Sequence, residues 1–303
     1  VAWATDLSPV IQLGLEPILC DSNFQDLSAD LEHLEKIFVE ESPSVLMFVS
    51  VLGLVPDVEK VVELCSKYDV VLLEDTCESM GCEYKGKKLG TFGKMSSFST
   101  FFGHHISTIE GGIISTDDKD LYELLVSIRS HGWDRDLSEE TQIKLQKEWD
   151  VTEFNSLYTF YYSGFNMRST DLQAYIGLTQ IDKLDDWGKK RESNYNQYQD
   201  LIENKYWKPK SYVDSFTSNF AYPVISPDRD EIVKKLQENK VEIRPMICGS
   251  MGTQPFYVKH YGKLKLPNVS VIDKYGFYVP NNPKLSSDEI LFISKIINEG
   301  ITE

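Results

Sequence analysis

The residues best suited to chemistry lie within residues 73–112, where carboxylates, histidines and glycines occur close together. Asp75 follows a short apolar run, so its carboxylate is predicted at the end of a buried strand. There it can cap a helix, pair with a cation or hold a ligand, and the local pattern leaves these roles open. His104 and His105 follow Gly103, and a histidine in such a place can move protons near neutral pH or fill a structural position.

The elements that must position these side chains follow from the hydrophobic pattern. Short apolar stretches alternate with amphipathic ones through the first half of the chain, which predicts an α/β fold with a mainly parallel sheet covered by helices. The predicted strands are residues 17–21, 44–51, 70–73, 96–100 and 112–116, and the predicted helices are residues 28–39 and 57–68. Because such sheets bind ligands at the carboxyl ends of their strands, Asp75 is predicted to lie at the binding edge.

The second half of the chain is predicted to hold one long helix and then a smaller unit. Residues 169–198 read as a helix with an apolar stripe, and residues 205–217 are irregular and polar, which is typical of a domain boundary. Two further helices are predicted over residues 228–239 and 286–298, the second capped by serine. We therefore predict a large domain over residues 1–200 and a small α/β domain over residues 201–303.

Composition excludes several classes of protein. The 303 residues include 47 acidic ones and carry a net charge of -16, which argues against a nucleic-acid surface. Apolar runs are too short to cross a membrane, and residues 1–21 lack a signal-peptide pattern, so a cytoplasmic protein is expected. The five cysteines form no C-x-x-C pair, which predicts reduced thiols and no metal site.

Several motifs together resemble the DegT-type nucleotide-sugar aminotransferases, and the resemblance covers nearly the whole chain. That family has a signature S-F-x-x-x-K-x-x-x-x-x-E-G-G, in which the lysine forms a Schiff base with pyridoxal phosphate. Here Glu110-Gly111-Gly112 sets the register, so His104 takes the place of the lysine and Ser99 that of the serine. The resemblance implies pyridoxal-phosphate fold type I, with a three-layer large domain and a smaller C-terminal domain.

The same resemblance implies roles for four further residues. Asp75 would keep the pyridine nitrogen of the cofactor protonated, and Ser99 would hold its phosphate. Trp3, in a Trp-Ala-Thr segment, would stack on the pyridine ring, although a core aromatic is the alternative. Asn166, in a G-x-N-x-R segment, would reach the phosphate of a neighbouring subunit, which implies a homodimer with shared active sites.

Two departures from the aminotransferase pattern point to one branch of the family. Imidazole cannot form a stable Schiff base, but it can still move protons, so His104 suits pyridoxamine phosphate, which carries its own amine. Glu78 stands where the aminotransferases have glutamine. Together with the segment Arg129-Ser-His131-Gly-Trp-Asp-Arg135-Asp, these features resemble the pyridoxamine-dependent sugar 3-dehydratases.

Within that branch the cysteines favour the kind without an iron-sulfur cluster, because the chain has no closely spaced C-x-C pair. This kind implies dehydration at C3 of a nucleotide-linked 4-keto-6-deoxy sugar, GDP-4-keto-6-deoxymannose, with glutamate as the amine donor and release of ammonia. His131, Arg135 and Arg244 would then contact the substrate. Each arginine could instead form a surface ion pair.

Two alternatives remain open. The chain could be a sugar aminotransferase that works without its lysine, or a non-catalytic relative that kept the fold. The sequence also begins abruptly at Val1-Ala2-Trp3, like the middle of a domain. By resemblance, we expect an upstream segment that supplies a helix and a Gly/Ser-rich turn at the cofactor phosphate.

Overall fold

The structure is a computed structural model that describes residues 1–203 and 207–300. The helices are α1 Ala4–Gln12, α2 Leu31–Glu41, α3 Val58–Tyr68, α4 Lys119–Arg129, α5 Glu139–Glu148, α6 Glu153–Ser156, α7 Asp171–Leu178, α8 Leu184–Leu201, α9 Arg229–Glu238, α10 Pro255–Tyr261, α11 Pro267–Tyr275 and α12 Ser287–Gly300. The strands are β1 Val45–Val49, β2 Val71–Asp75, β3 Glu83–Tyr84, β4 Lys87–Lys88, β5 Met95–Ser99, β6 Gly112–Ser115, β7 Ser215–Phe216, β8 Ala221–Ile225, β9 Arg244–Pro245 and β10 Gly276–Pro280.

The sheet that positions the site has the order β1-β2-β5-β6. β1 and β5 lie parallel to β2, and β6 closes the sheet antiparallel to β5. Helices α2 and α3 cover it with a core that includes Leu34, Phe48 and Leu72. The α/β prediction with a mainly parallel sheet is therefore confirmed, and Asp75 ends its strand level with Val49 and Ser97.

The last third of the chain forms a second, antiparallel sheet with the order β8-β10-β9. Helices α9 and α12 pack on it through buried residues such as Ile232, Phe277 and Ile297. The predicted cap of α12 is present, because Ser286 and Glu289 each accept a hydrogen bond from the other's backbone N–H. The domain boundary stays a prediction, and residues 204–206 at its start lie outside the described residues.

Two predicted elements are wrong. Residues 17–21 form no strand, because their polar groups bond elsewhere: the Asp21 N–H donates to His33 Nδ1, and the Asp21 carboxylate accepts from the first amides of α11. The long helix over residues 169–198 is interrupted. It divides into α7 and α8 around Gln180, whose side chain is hydrogen-bonded to another loop.

Two predictions from composition can be compared with the described residues. All five cysteines are free thiols there, with Cys65 and Cys82 buried. Across residues 1–203 and 207–300, no helix has both the length and the apolar character that a membrane span requires.

Candidate functional site

Asp75 is held at the end of β2 by groups on two neighbouring elements. Its Oδ1 accepts hydrogen bonds from the Cys77 backbone N–H at 2.8 Å and from Ser97 Oγ at 3.2 Å. Ser97 is the register partner of Asp75 on β5, so the sheet itself sets this contact. The half-buried carboxylate therefore has a fixed direction at the carboxyl edge of the sheet.

A second carboxyl group, that of Asp6, meets Asp75 from the first turn of α1. Asp6 Oδ2 accepts from the Trp3 backbone N–H at 2.8 Å, and its side chain is hydrogen-bonded to Asp75. Burial, the hydrogen bond and the charge of Asp75 raise the pKa of Asp6 to about 8. The pair therefore holds one proton at neutral pH.

The side chain of Trp3 lies at the surface. Trp3 is 58% exposed, so the alternative that it is a core aromatic residue is wrong.

Glu78 forms the third carboxyl group of the site. Its Oε2 accepts from the Leu52 backbone N–H at 2.7 Å. Leu52 has a φ of 54°, a strained conformation for a leucine, and its side chain is fully buried. Burial raises the pKa of Glu78 to about 7, the Leu52 hydrogen bond opposes this rise, and the Asp75 charge adds to it. Glu78 can therefore gain or lose a proton near neutral pH.

The imidazole of His104 lies between two aromatic rings. The ring centroids of Phe220 and Phe101 lie 5.1 Å and 5.8 Å from it, both edge to face. Burial lowers the pKa of His104, the charge of Asp75 raises it, and that of Arg191 lowers it. Its Nδ1 is buried without a hydrogen-bond partner among the described residues. The result is a neutral imidazole with an unused nitrogen, which can accept a proton from a ligand.

The loop that follows His104 is braced by α7. Gln173 Nε2 donates to the Glu110 carbonyl at 2.6 Å. Gln180 makes two bonds to the Ser107 backbone, accepting from its N–H at 3.0 Å and donating to its carbonyl at 2.6 Å. The interruption of the long helix therefore lies at a residue whose side chain bonds to this loop, and Gln173 ties the same loop to α7.

Ser99 lies at the carboxyl end of β5, two residues after Ser97. Side chains two residues apart share a face of a strand, so Ser99 faces the same side as the Ser97 hydroxyl on Asp75. Its Oγ accepts from the Phe101 backbone N–H at 3.2 Å. A hydroxyl in this position retains a proton to donate to an anion.

Three predicted residues form a separate group. The His131 backbone N–H donates to the Phe165 carbonyl at 2.7 Å, next to Asn166, whose side chain is exposed. Arg135 stacks on Trp133 with the guanidinium 3.9 Å from the ring centroid, and it donates to the Leu157 carbonyl at 2.6 Å. His131, Arg135 and Asn166 therefore lie near one another, and within residues 1–203 and 207–300 no hydrogen bond, ion pair or ring contact joins them to His104 or Asp75.

Arg244 reaches the site through Tyr278. The two residues are register partners on β9 and β10, and the Tyr278 ring lies 6.1 Å from that of Phe220. Burial raises the pKa of Tyr278 to about 12, with Glu78 raising and Arg244 lowering it. Arg244 is exposed and also paired with Glu242 at 2.6 Å, so the ion-pair alternative is present in the structure as well.

Four site residues were not predicted from the sequence. Ser97 was detectable, because it shares a strand face with Ser99, and Asp6 because it lies three residues after Trp3 in a capping position. Phe220 and Tyr278 carry no local signal, since only the folded chain brings Phe220 to His104 and Tyr278 to Phe220.

The donor set fits a flat aromatic cofactor with a basic ring nitrogen. A fixed carboxylate at Asp75 suits that nitrogen, the exposed Trp3 ring offers a stacking surface, and His104 Nδ1 lacks a partner. Asp6 and Glu78 add two proton-exchanging carboxyls. This arrangement can hold such a ring without a covalent bond and move protons beside it.

The chain is similar in sequence and structure to known proteins. The sequence model of the DegT/DnrJ/EryC1/StrS aminotransferase family matches residues 1–298. GDP-4-keto-6-deoxy-D-mannose 3-dehydratase of Yersinia pseudotuberculosis is 32% identical over 99% of this chain and 77% of its own length. Among solved structures, a variant of GDP-4-keto-6-deoxymannose 3-dehydratase with bound GDP-perosamine is 30% identical, with a TM-score of 0.89 over 98% of this chain and 78% of its own. The E. coli enzyme with bound hydrated PLP is 29% identical, with a TM-score of 0.87 over the same shares.

Proposed function

Because this chain belongs to the DegT/DnrJ/EryC1/StrS aminotransferase family, we propose that it is a sugar 3-dehydratase that uses pyridoxal and pyridoxamine phosphate. Its substrate is a nucleotide-linked 4-keto-6-deoxy sugar, GDP-4-keto-6-deoxymannose, and glutamate supplies the amine. The observation that carries the proposal is the half-buried, neutral imidazole of His104 at the position of the lysine. The similarity to the Yersinia and E. coli dehydratases supports the choice of substrate.

The cofactor, when bound, supplies an amine for the C4 ketone of the sugar and a ring that accepts electron density. Asp75 would keep the ring nitrogen protonated, and the protonated carboxyl group of Asp6 donates a hydrogen bond to Asp75, so that the pair carries only one negative charge. Trp3 stacks on the ring face, while Ser99 and the partner copy's equivalent of Asn166 donate to the phosphate.

His104 acts as the base and then as the acid. Its imidazole is neutral at physiological pH because burial lowers its pKa, so it can remove a proton from the C4′ carbon of the cofactor. The resulting imidazolium can return this proton to the C3 hydroxyl of the sugar, which leaves as water. Glu78, with a pKa of about 7, lies close enough to Asp75 to influence the charge on the same ring.

The nucleotide end of the substrate needs cations, because its diphosphate is anionic. Arg244 meets this need from the Tyr278 side of the site, and Arg135 meets it from the surface that also carries Asn166, where His131 contacts the substrate as well.

The active assembly is a homodimer, in which Asn166 of each copy completes the site of the other. A run of large apolar side chains supports it, each at least two thirds exposed: Phe154, Tyr158, Leu172, Tyr175 and Leu178. An exposed apolar surface of this extent is typical of a subunit interface. These side chains adjoin Asn166 along the chain, which supports a second copy of the chain as the partner that covers them. The enzyme works in the cytoplasm, where nucleotide sugars are made.

The test is to add pyridoxamine phosphate, GDP-4-keto-6-deoxymannose and glutamate to the protein and to measure ammonia and the sugar product. The proposal expects ammonia release and a 4-keto-3,6-dideoxy sugar, with His104→Asn as the inactive control. Formation of a 4-amino sugar would show an aminotransferase instead. Cofactor binding without any turnover would show a non-catalytic relative.

A further inference from the structure

The segment just before β8 is polar yet buried. Ser218 and Asn219 are fully buried, and Thr217 is nearly so. Buried backbone carbonyls need hydrogen-bond donors, and a loop has no strand neighbour that could supply them all. We call residues 217–220 the Phe220 loop, because it ends at the aromatic ring that packs against His104.

His105, the neighbour of His104, supplies the first donor. Its Nε2 lies 2.6 Å from the Ser218 carbonyl oxygen, which can only accept, so Nε2 carries the proton. Burial and the charges of Arg191 and His104 lower the pKa of His105 to about 3, against the hydrogen bond to Ser218, which raises it. His105 is therefore a neutral imidazole in one tautomer, and it ties the Phe220 loop to the residue beside His104.

Arg191 supplies the next donors. It is 5% exposed, and its Nη1 lies 3.3 Å from the Phe220 carbonyl oxygen and within hydrogen-bond distance of that of Asn281. Asn281 Nδ2 in turn donates to the Asn219 carbonyl at 3.2 Å. The guanidinium contacts carbonyl oxygens, which pair with a buried cation without a second charge.

The Phe220 backbone connects this loop to the carboxyl groups of the site. The Phe220 N–H donates to the Leu52 carbonyl at 2.8 Å, and the Leu52 N–H donates to Glu78. The Phe220 ring lies edge to face with His104. Three anchors, at Ser218, at Phe220 and at Leu52, therefore fix the ring that covers one side of the imidazole.

We propose that His105 and Arg191 are positioning residues that hold the Phe220 loop, and with it the Phe220 ring, against His104. The ring keeps water away from the imidazole and limits its rotation. The charged groups that act on the pKa of His104 are Asp75 on β2, which raises it, and Arg191 on α8, which lowers it. The inference rests on the proposed function in one respect, the role of His104 as the acid and base.

The test compares His105→Leu, which leaves the Ser218 carbonyl without its donor, with His105→Gln, whose amide can still donate to it. NMR titration of the His104 ring, assigned with His104→Asn, reports its pKa directly. We expect His105→Leu to raise that pKa by about 0.5 or more as water enters, and to lower kcat about tenfold with little change in KM. His105→Gln should keep both values close to wild type, and the exposed His260→Leu is the matched control.

A folded His105→Leu protein with an unchanged His104 pKa and unchanged kcat would overturn the inference. If His105→Leu does not fold, Phe220→Leu takes its place, because it keeps every backbone anchor and removes only the ring. The same rise in the His104 pKa is then expected, and an unchanged pKa overturns the inference. Absence of ammonia release by the wild type would count against the proposed function alone, since the titration needs no turnover.

Discussion

Asp6 and Asp75 share a hydrogen bond between their carboxyl groups, one from the first turn of a helix and the other from the end of a strand. Two carboxyl groups this close cannot both be ionised at little cost, so one proton stays on the pair until about pH 8. Under the proposed function, this proton leaves Asp75 as the single negative charge available to the ring nitrogen of the cofactor.

Asp75→Asn should weaken the binding of pyridoxal phosphate by a factor of about 30, since a charge-assisted hydrogen bond is replaced by a neutral one. Fluorescence titration at pH 7.5 measures this. Asp6→Asn is the matched control, because an amide can still donate to Asp75, and its affinity should lie close to wild type. Equal binding by the wild type and Asp75→Asn would contradict the assignment of the ring nitrogen to Asp75.

His104→Asn should lower dehydration by about 10³-fold, the usual contribution of a general acid and base, and leave cofactor affinity nearly unchanged. Ammonia release and a binding titration separate the two effects. His104→Lys should attach the cofactor covalently, so that borohydride treatment produces a mass increase that the wild type does not show. A His104→Asn enzyme with more than a tenth of wild-type activity would rule out this histidine as the base.

Glu78→Gln should change the pH dependence of stability. The folded chain holds the Glu78 proton up to about pH 7, whereas the ordinary pKa is 4.5, so the free energy of unfolding falls as pH rises between these values. The amide keeps an acceptor for the Leu52 N–H. Urea denaturation should show the variant about 3 kcal/mol more stable at pH 8 and equal to wild type below pH 4, because each unit of pKa shift corresponds to about 1.4 kcal/mol. Glu16→Gln, at an exposed residue, should have the same stability as the wild type at both pH values. If Glu78→Gln also matches the wild type at both, the pKa of Glu78 is not raised in the folded chain.

Arg244→Ala should raise KM for the nucleotide sugar about tenfold and leave kcat nearly unchanged, because the guanidinium binds the diphosphate equally before and during the reaction. Initial-rate kinetics over a range of sugar concentration measures both constants. Arg229→Ala serves as the control, since that arginine donates to the Asp273 carbonyl. A fall in kcat with an unchanged KM would place Arg244 in another role.

Leu172→Glu should dissociate the dimer, because it introduces a charge into the proposed apolar interface. Sedimentation velocity reports the mass. Val213→Glu, at a residue that is 83% exposed elsewhere, controls for the added charge and should leave the dimer intact. A Leu172→Glu chain that sediments as a dimer would show that the interface lies on another surface.

The sequence predicted those parts of the fold that follow from local patterns. The apolar run before Asp75 and the amphipathic helix over residues 57–68 were found because burial on one face leaves a period in the sequence. The strand predicted over residues 17–21 is wrong because Asp21 bonds to His33 and to α11. Helix α11 lies more than 240 positions away in the chain. Hydrophobic periodicity cannot report such a contact.

The residues of the candidate site also form two groups: those that the sequence predicted and those that only the fold brings together. His104 and Ser99 were predicted by counting back from Glu110 along the signature of the family that the sequence resembles, which needs no knowledge of the fold. Phe220 contacts the imidazole and Tyr278 contacts the Phe220 ring, and packing between residues far apart in the chain brings them there. The pairing of Asp6 with Asp75 likewise joins α1 to β2, and the pKa of about 8 depends on burial that only the fold creates.

Helix α7 contacts the loop after His104 through one face and exposes large apolar side chains on another. Gln173 on one face bonds to the loop that follows His104, while Leu172 and Tyr175 project from the helix with large exposed fractions. If a second copy covers these two side chains, subunit association and loop order become thermodynamically linked. Specific activity would then fall on dilution, and the substrate, by ordering the loop, would tighten the dimer in return.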